Sequence, residues 1–222
     1  MPSPPRIRPG EIRGLRIPLG PTVVRVRVLR DVDPWMERLT PEEVRDERFP
    51  YFGELWPAGL GLARWVWRRD EVRGKEVLDL GCGVGLPGIA AGMRGARVVF
   101  ADIFEEALGL ARENAEGAGV RGAEYLRLDW RDPAFDRRFD AVLAADLFYE
   151  SRHHGPLLEF FARAVRPGGI VVAADPCRPN AEPFFEEAAR RFAVERDDLD
   201  VELRGRRHRV RVVRLTAPRT GP

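Results

Sequence analysis

Apolar and polar residues alternate from Thr22 to Val32, where Val24, Val26 and Val28 are interleaved with Arg25 and Arg27. A period of two predicts a half-buried strand. Between Leu55 and Val72 the residues Leu60, Ala63, Val66 and Trp67 recur at helical spacing behind Trp56-Pro57. This predicts an amphipathic helix, with the proline suited to its first turn. The texture then changes. Short apolar runs at 76–80, 97–101, 124–128, 141–145 and 170–174 alternate with helical patterns ending at Met93 and covering Glu105–Glu116, His154–Val165 and Ala181–Val194. Repeated strand–helix units predict an α/β fold, a doubly wound, Rossmann-like, mostly parallel sheet covered on both faces. Asp200–Leu203 and His208–Leu215 read as two strands joined through Arg204-Gly205-Arg206, a C-terminal antiparallel hairpin closing one sheet edge. The proline-rich stretch Met1–Pro21 predicts an extended start with one edge strand around Ile12–Ile17, and a short polar helix is expected near Pro41–Asp46. The pattern divides into an N-terminal β extension over 1–50, a main domain over 51–216 and a tail over 217–222.

Composition narrows this picture in three ways. At 222 residues the chain can bury a core without disulfides, and 37 Lys+Arg against 35 Asp+Glu leave a net charge of +2. A large uniform positive field for wrapping a polyanion is therefore not indicated. Lys75 is the only lysine, glutamine is absent, and asparagine occurs only at Asn114 and Asn180. Few thermolabile amides and arginine in place of lysine point to a thermophile or a GC-rich source. The two cysteines, Cys82 and Cys177, make no disulfide scaffold or zinc pattern and fit a reducing cytoplasm. The apolar stretch Leu80–Met93 is broken by glycine and proline and falls short of the roughly 20 residues a bilayer span needs. The start MPSPPRIRPG lacks a signal-peptide core, so a soluble, unexported, cytoplasmic chain is expected.

The most informative segment runs from Val77 to Gly88. Gly83, Gly85 and Gly88 satisfy the GxGxxG spacing of a dinucleotide site, while Asp79, Gly81, Gly83 and Gly85 satisfy the DxGxGxG spacing of an S-adenosylmethionine site. The apolar strand stops at Leu80, so the turn begins at Gly81, which favours the second spacing. Asp79, one residue before the strand end, suits a cationic ligand and would repel a pyrophosphate. Asp102 closes the next strand, where its two oxygens could accept both ribose hydroxyls or could cap the following helix. Asp129 and Trp130 follow the third strand; there a carboxylate can accept from an adenine amino group and an indole can cover the ring.

Together, DxGxGxG at Asp79–Gly85, the acid Asp102 and Asp129-Trp130 resemble the seven-β-strand (class I) S-adenosylmethionine-dependent methyltransferases over about Phe52 to Leu215. The resemblance implies a seven-stranded sheet, S-adenosyl-L-methionine as cofactor, and cofactor contacts from Trp56, Gly81, Cys82, Gly83, Asp102, Trp130 and Ala145. Asp79, Gly85 and Asp129 complete the cofactor-binding set. After the fourth parallel strand the chain reads Asp146-Leu147-Phe148-Tyr149. A DxxY there, with Trp56-Pro57, resembles the subgroup containing many protein-lysine methyltransferases. Asp175-Pro176-Cys177-Arg178-Pro179 resembles the DPxRP of the electron-transfer-flavoprotein β-subunit lysine methyltransferases.

This resemblance implies that Asp146 and Tyr149 face the methyl acceptor as catalytic residues, with Phe148, Tyr149 and Trp56 as low-dielectric walls. It implies a protein substrate methylated on lysine, the electron transfer flavoprotein β subunit being a candidate partner, and neither a membrane nor a nucleic acid. A small-molecule or RNA N-methyltransferase, or a non-catalytic cofactor-binding module, are the other expectations. His153 and His154 read as a solvated helix start rather than metal ligands, and no metal is implied. Arginines 204, 206, 207, 209, 211 and 214 alternate with Val210 and Val212, which favours a solvated strand face over a docking surface.

Overall fold

The computed structural model describes residues 7–37, 39–45 and 49–217; the expected end of the polar helix at Asp46 and the tail beyond Ala217 lie outside them. Two strands, β1 (Ile12–Leu19) and β2 (Thr22–Leu29), pair antiparallel as a sheet of their own. The valine–arginine alternation does what a period of two requires: Val24, Val26 and Val28 are buried while Arg25 and Arg27 face solvent. Two short helices, α1 (Asp33–Met36) and α2 (Pro41–Arg45), lead to α3 (Pro57–Trp67). Trp56 precedes α3 in extended conformation and Pro57 opens it. Next come β3 (Glu76–Leu80), α4 (Leu86–Met93), β4 (Arg97–Asp102), α5 (Glu105–Gly117), β5 (Glu124–Arg127) and β6 (Phe139–Ala145). They are followed by α6 (His154–Ala164), β7 (Val165–Asp175), α7 (Glu182–Arg191), β8 (Ala193–Leu203) and β9 (Arg206–Thr216).

The main sheet has seven strands in the order β5-β4-β3-β6-β7-β9-β8, parallel except for the hairpin β8–β9. Its central strands are apolar on both faces, as burial under helices on each side demands. Val77, Ala141, Leu143, Ile170 and Val172 face a core shared with α3, α4, α5 and the β1–β2 hairpin. Their neighbours Leu78, Leu80, Val142, Ala144 and Val171 face a second core with α6 and α7. The chain winds outward from β3 through β4 to β5, then crosses back to β6. The crevice between the C-terminal ends of β3 and β6 is the switch point where such sheets bind ligands. No helix among the described residues is long and apolar enough to cross a membrane.

The hairpin differs from its expected extent. β8 begins at Ala193 rather than Asp200, through Glu195, Arg196, Asp197 and Asp198, a run without apolar alternation. Pairing with β9 holds it, Ala193 standing opposite Thr216, and charges answer across the pair. Arg207 meets Asp200 at 2.6 Å, Arg209 meets Asp198 at 3.4 Å, and Arg214 meets Glu195 at 3.1 Å. Arg204, Arg206, Arg207 and Arg209 are exposed as a solvated face requires, whereas Arg211, expected on that face, is buried and pairs with Glu182 of α7 at 2.5 Å, because β9 lies inside the sheet between β7 and β8.

Candidate functional site

A cavity of about 340 Å³ opens at the switch point, within the range of small-molecule sites. Its floor is the turn after β3. Gly81, Gly83 and Gly85 have φ of 59°, 51° and 82°, which only glycine adopts at little cost. A Cβ on Gly83 would lie 3.1 Å from the Phe52 carbonyl oxygen, so the turn is also closely approached from above. Gly85 plays another part: it precedes α4, and a Cβ there would meet Ala111 at 3.0 Å. Gly85 does not line the cavity, whereas Trp56, Asp79, Gly81, Cys82, Gly83, Asp102, Asp129, Trp130, Ala145, Asp146 and Tyr149 all do.

The acids at this end are fastened by backbone amides. Asp79 Oδ2 accepts from the Gly88 N–H at 2.9 Å, tying β3 to the first turn of α4. Asp102 accepts from the Gly83 N–H at 3.0 Å through Oδ2 and from the Phe104 N–H at 3.1 Å through Oδ1. Asp102 thus does two things at once: it braces the turn toward α5 and it presents its carboxylate to the cavity. Burial raises both acids, Asp79 to about 8, against the Gly88 amide and with help from the Asp102 charge, and Asp102 to about 6. Buried carboxyls without a countercharge favour the protonated form. Burial also pushes the Cys82 thiol well up, which keeps it a protonated wall group. Asp129 is bound bidentately by the Arg131 guanidinium, Nε donating to Oδ1 at 2.9 Å and Nη2 to Oδ2 at 2.7 Å.

Aromatic rings form the walls. Trp56 Nε1 donates to the Tyr51 carbonyl at 2.9 Å, and Tyr51 stands edge-on to both Trp56 and Tyr149, with centroids 5.8 Å and 6.4 Å away. Phe52 packs on Phe104 at 5.0 Å, and Trp130 meets His153 edge-on at 5.8 Å. The indole N–H of Trp130 is buried without a hydrogen-bond partner among the described residues.

At the opposite end, Asp146 leaves β6 with φ of 60°, its N–H bonded to the Ala174 carbonyl of β7 at 3.0 Å. Its Oδ1 accepts from Arg178 at 2.6 Å, and Arg178 also reaches Asp175 Oδ2 at 3.1 Å. Burial raises the Asp146 carboxyl to about 6, with Arg178 pulling it down and Asp175 pushing it up.

Three expectations are corrected here. Phe148 is no cavity wall; it is fully buried and packs on Phe184 with centroids 4.4 Å apart, because the turn that follows β6 carries it into the α6–α7 core. His154 is not solvated, since its Nε2 lies 3.0 Å from the Phe148 carbonyl oxygen in that core. His153 lines the cavity, as do Tyr51, Phe52, Phe104 and Arg178, none of which was read as a site residue. The crowding of Phe49, Tyr51, Phe52 and Trp56 before α3 was the available sign of an aromatic wall.

The residues fit a cationic nucleoside better than a polyphosphate. Asp79, Asp102 and Asp146 bring three buried carboxyls to one cavity, which a positive ligand would hold ionised and a pyrophosphate would oppose.

A family profile described as a methyltransferase domain matches residues 77–169. The electron transfer flavoprotein beta subunit lysine methyltransferase of Xenopus laevis is 32% identical over 167 residues, covering 72% of this chain and 65% of that protein. The cypemycin N-terminal methyltransferase of a Streptomyces species is 32% identical over 59% of this chain and 54% of its own length. The chain thus spans about half to two thirds of these relatives. Among solved structures, the N-methyltransferase NodS of Bradyrhizobium japonicum, in complex with S-adenosyl-L-homocysteine, superposes with a TM-score of 0.60. It is 16% identical, covering 85% of this chain and 94% of that one, and the likeness is one of fold.

Proposed function

Because the chain belongs to the class I S-adenosylmethionine-dependent methyltransferases, we propose that it methylates amine nitrogens of a protein substrate, lysine side chains first among them. The observation that carries this reading is Asp146, a buried carboxylate at the end of β6 in a cavity walled by Tyr51, Trp56 and Tyr149. When bound, S-adenosylmethionine supplies an electrophilic sulfonium methyl group. In this reading Gly81, Cys82 and Gly83 let it approach the backbone, Asp79 and Asp102 face its positive charge and its ribose, and Trp130 with Asp129 borders its base.

The protein's part in the transfer is placement and dehydration. A lysine at pH 7 lies more than three units below its pKa of about 10.4, so reaching the neutral amine costs roughly 4–5 kcal/mol. Trp56 and Tyr149, both half-buried, with Tyr51 at the rim, would displace water from a docked amine, and such desolvation lowers an amine's pKa. Asp146 recruits and orients the nitrogen, whose lone pair forms the new N–C bond as the S–C bond breaks. A methyl taken from the sulfonium would leave a neutral thioether holding the bonding pair, and the proton of the product ammonium would leave to water. Among candidate substrates, the likeness to the Xenopus laevis enzyme puts the electron transfer flavoprotein β subunit first.

The test is incubation of the protein with methyl-labelled S-adenosylmethionine and host lysate, with label located by mass spectrometry. Label on lysine of another protein is expected, and Lys75 as the single internal lysine keeps self-labelling easy to recognise. Label confined to RNA or metabolites overturns the reading, as does cofactor binding without transfer.

A further inference from the structure

Strands β6 and β7 end side by side, Ala145 opposite Ala174, and each is followed by a turn containing a non-glycine residue in left-handed conformation. These are Asp146, with φ of 60°, and Cys177, with φ of 62°. Such conformations are strained for a residue with a Cβ and persist where the surroundings hold them. Here the two turns deliver Arg178 and Asp146 to each other, Nη1 to Oδ1 at 2.6 Å. Asp175 locks the arginine from below, accepting from its backbone N–H at 2.6 Å and from Nη1 at 3.1 Å, and is itself wholly buried. Arg178 lines the cavity beside Asp146, while Asp146 Oδ2 is buried without a hydrogen-bond partner among the described residues.

A bare carboxylate in a dry pocket is a poor host for a nucleophilic amine, because an opposite charge within ~4–6 Å favours the ammonium form. We propose that Arg178 is a positioning residue that balances the charge of Asp146, so that the acceptor nitrogen is held as the neutral amine instead of a trapped ammonium. The proposal rests on the amine-methylation reading above. Asp146 and Arg178 cancel as a pair, so an ammonium docked beside them would bring a buried charge that the pair does not compensate.

The groups facing the pair agree with this balance. The N–H of Ala58 at the start of α3 favours the ionised carboxylate, and Asp175 from β7 opposes it. Arg211 of β9 stands opposite Asp175 in register but pairs with Glu182 of α7 at 2.5 Å. Tyr149 and His153 line the cavity beyond β6, and Glu54 is engaged by Arg204 at 3.1 Å. Arg178 is therefore the full positive charge in contact with Asp146, 28% exposed against 10% for the acid.

The test uses Arg178→Met and Arg178→Gln, which remove the charge, and Arg178→Lys, which restores it. Without any substrate, carbon-13 NMR of the Asp146 carboxyl, assigned with Asp146→Asn, should show its titration moving upward by about one pH unit or more in the neutral variants. With a saturating lysine substrate, kcat measured between about pH 6 and 10 should have its acidic limb moved to higher pH by a similar amount. The neutral variants should be about tenfold slower at pH 7, recover in alkali, and be largely rescued by Arg178→Lys. An unmoved Asp146 titration, or a loss of activity equal at every pH, overturns the proposal. If Met and Gln fail to fold, the lysine variant decides it: a wild-type pH profile is expected, and a profile shifted to alkali overturns it. Failure of the wild type to methylate any amine would instead bring down the reading on which the proposal stands.

Discussion

At the glycine-turn end of the cavity, Asp79 and Asp102 are held by backbone amides of their own strand–turn–helix units; at the other end, Asp146 is held by a guanidinium arriving from the exit of the neighbouring strand. Amides are neutral donors, so burial wins and both acids of the first end stand well above the ordinary carboxyl range, at about 8 and 6. That end keeps negative charge in reserve for a cationic ligand. Arg178 instead brings a full positive charge to the second end; burial still raises Asp146 to about 6, level with Asp102, so the ends differ in holding a paired countercharge before anything binds. A cavity with one end waiting for a cation and the other neutralised is suited to hold a sulfonium and an uncharged nucleophile together.

The sharpest way to break this contrast is to remove one acid from each end. Asp146→Ala should cut single-turnover methyl transfer by about a hundredfold or more while leaving cofactor affinity, read by calorimetry, within a few-fold. Asp102→Ala should do the reverse, weakening cofactor binding by about 30–100-fold, the worth of hydrogen bonds to a charged group. If both variants moved the same quantity, the two ends would not be functionally distinct.

A smaller effect reads the reserve of charge directly. With no cation bound, Asp79 keeps its proton up to about pH 8. A positive ligand that pairs with its ionised form expels that proton. Affinity should therefore rise with pH by up to about tenfold per pH unit toward pH 8, then level off, and Asp79→Asn should flatten the curve. The same raised value makes the folded chain bind protons more readily than the unfolded one. Ligand-free stability should accordingly fall as pH climbs from about 4 to 8, and thermal melts with cofactor present should show a weaker fall.

Asn114 qualifies the contrast, because it brings a distant support to the glycine-turn end. Its side-chain amide donates to the Val84 carbonyl at 2.9 Å and to the Arg27 carbonyl at 3.0 Å, and accepts from the Arg27 N–H at 2.7 Å. Asn114→Ala should destabilise the fold by about 1–2 kcal/mol in denaturant titration, with a smaller loss of cofactor affinity. The smallest effect belongs on the hairpin. Arg207→Ala breaks an exposed pair with Asp200 and should leave the melting temperature unchanged within error.

Most of the sheet was legible because its signal is local: a period of two in β2, apolar runs for β3, β4 and β6, and helical spacing in α3. The first half of β8 was not, since Glu195 to Asp198 carry no apolar alternation and become a strand only by pairing with β9. Phe148 shows the same limit within the site. Its neighbours Leu147 and Tyr149 line the cavity, and no spacing rule says that Phe148 turns away to meet Phe184.

The DxGxGxG spacing settled by itself where the turn lies and which acids flank it, because a glycine's freedom at positive φ and the alternation of a strand act within a few residues. Asp146, 32 residues from Arg178, could be named from the chain but its partner could not. That pair exists because β6 and β7 lie parallel and end together, so that two turns far apart in sequence open onto the same few ångströms of buried space. Charge in such space is governed by whatever the fold brings beside it, and that neighbour determines whether a carboxylate traps a proton or releases one.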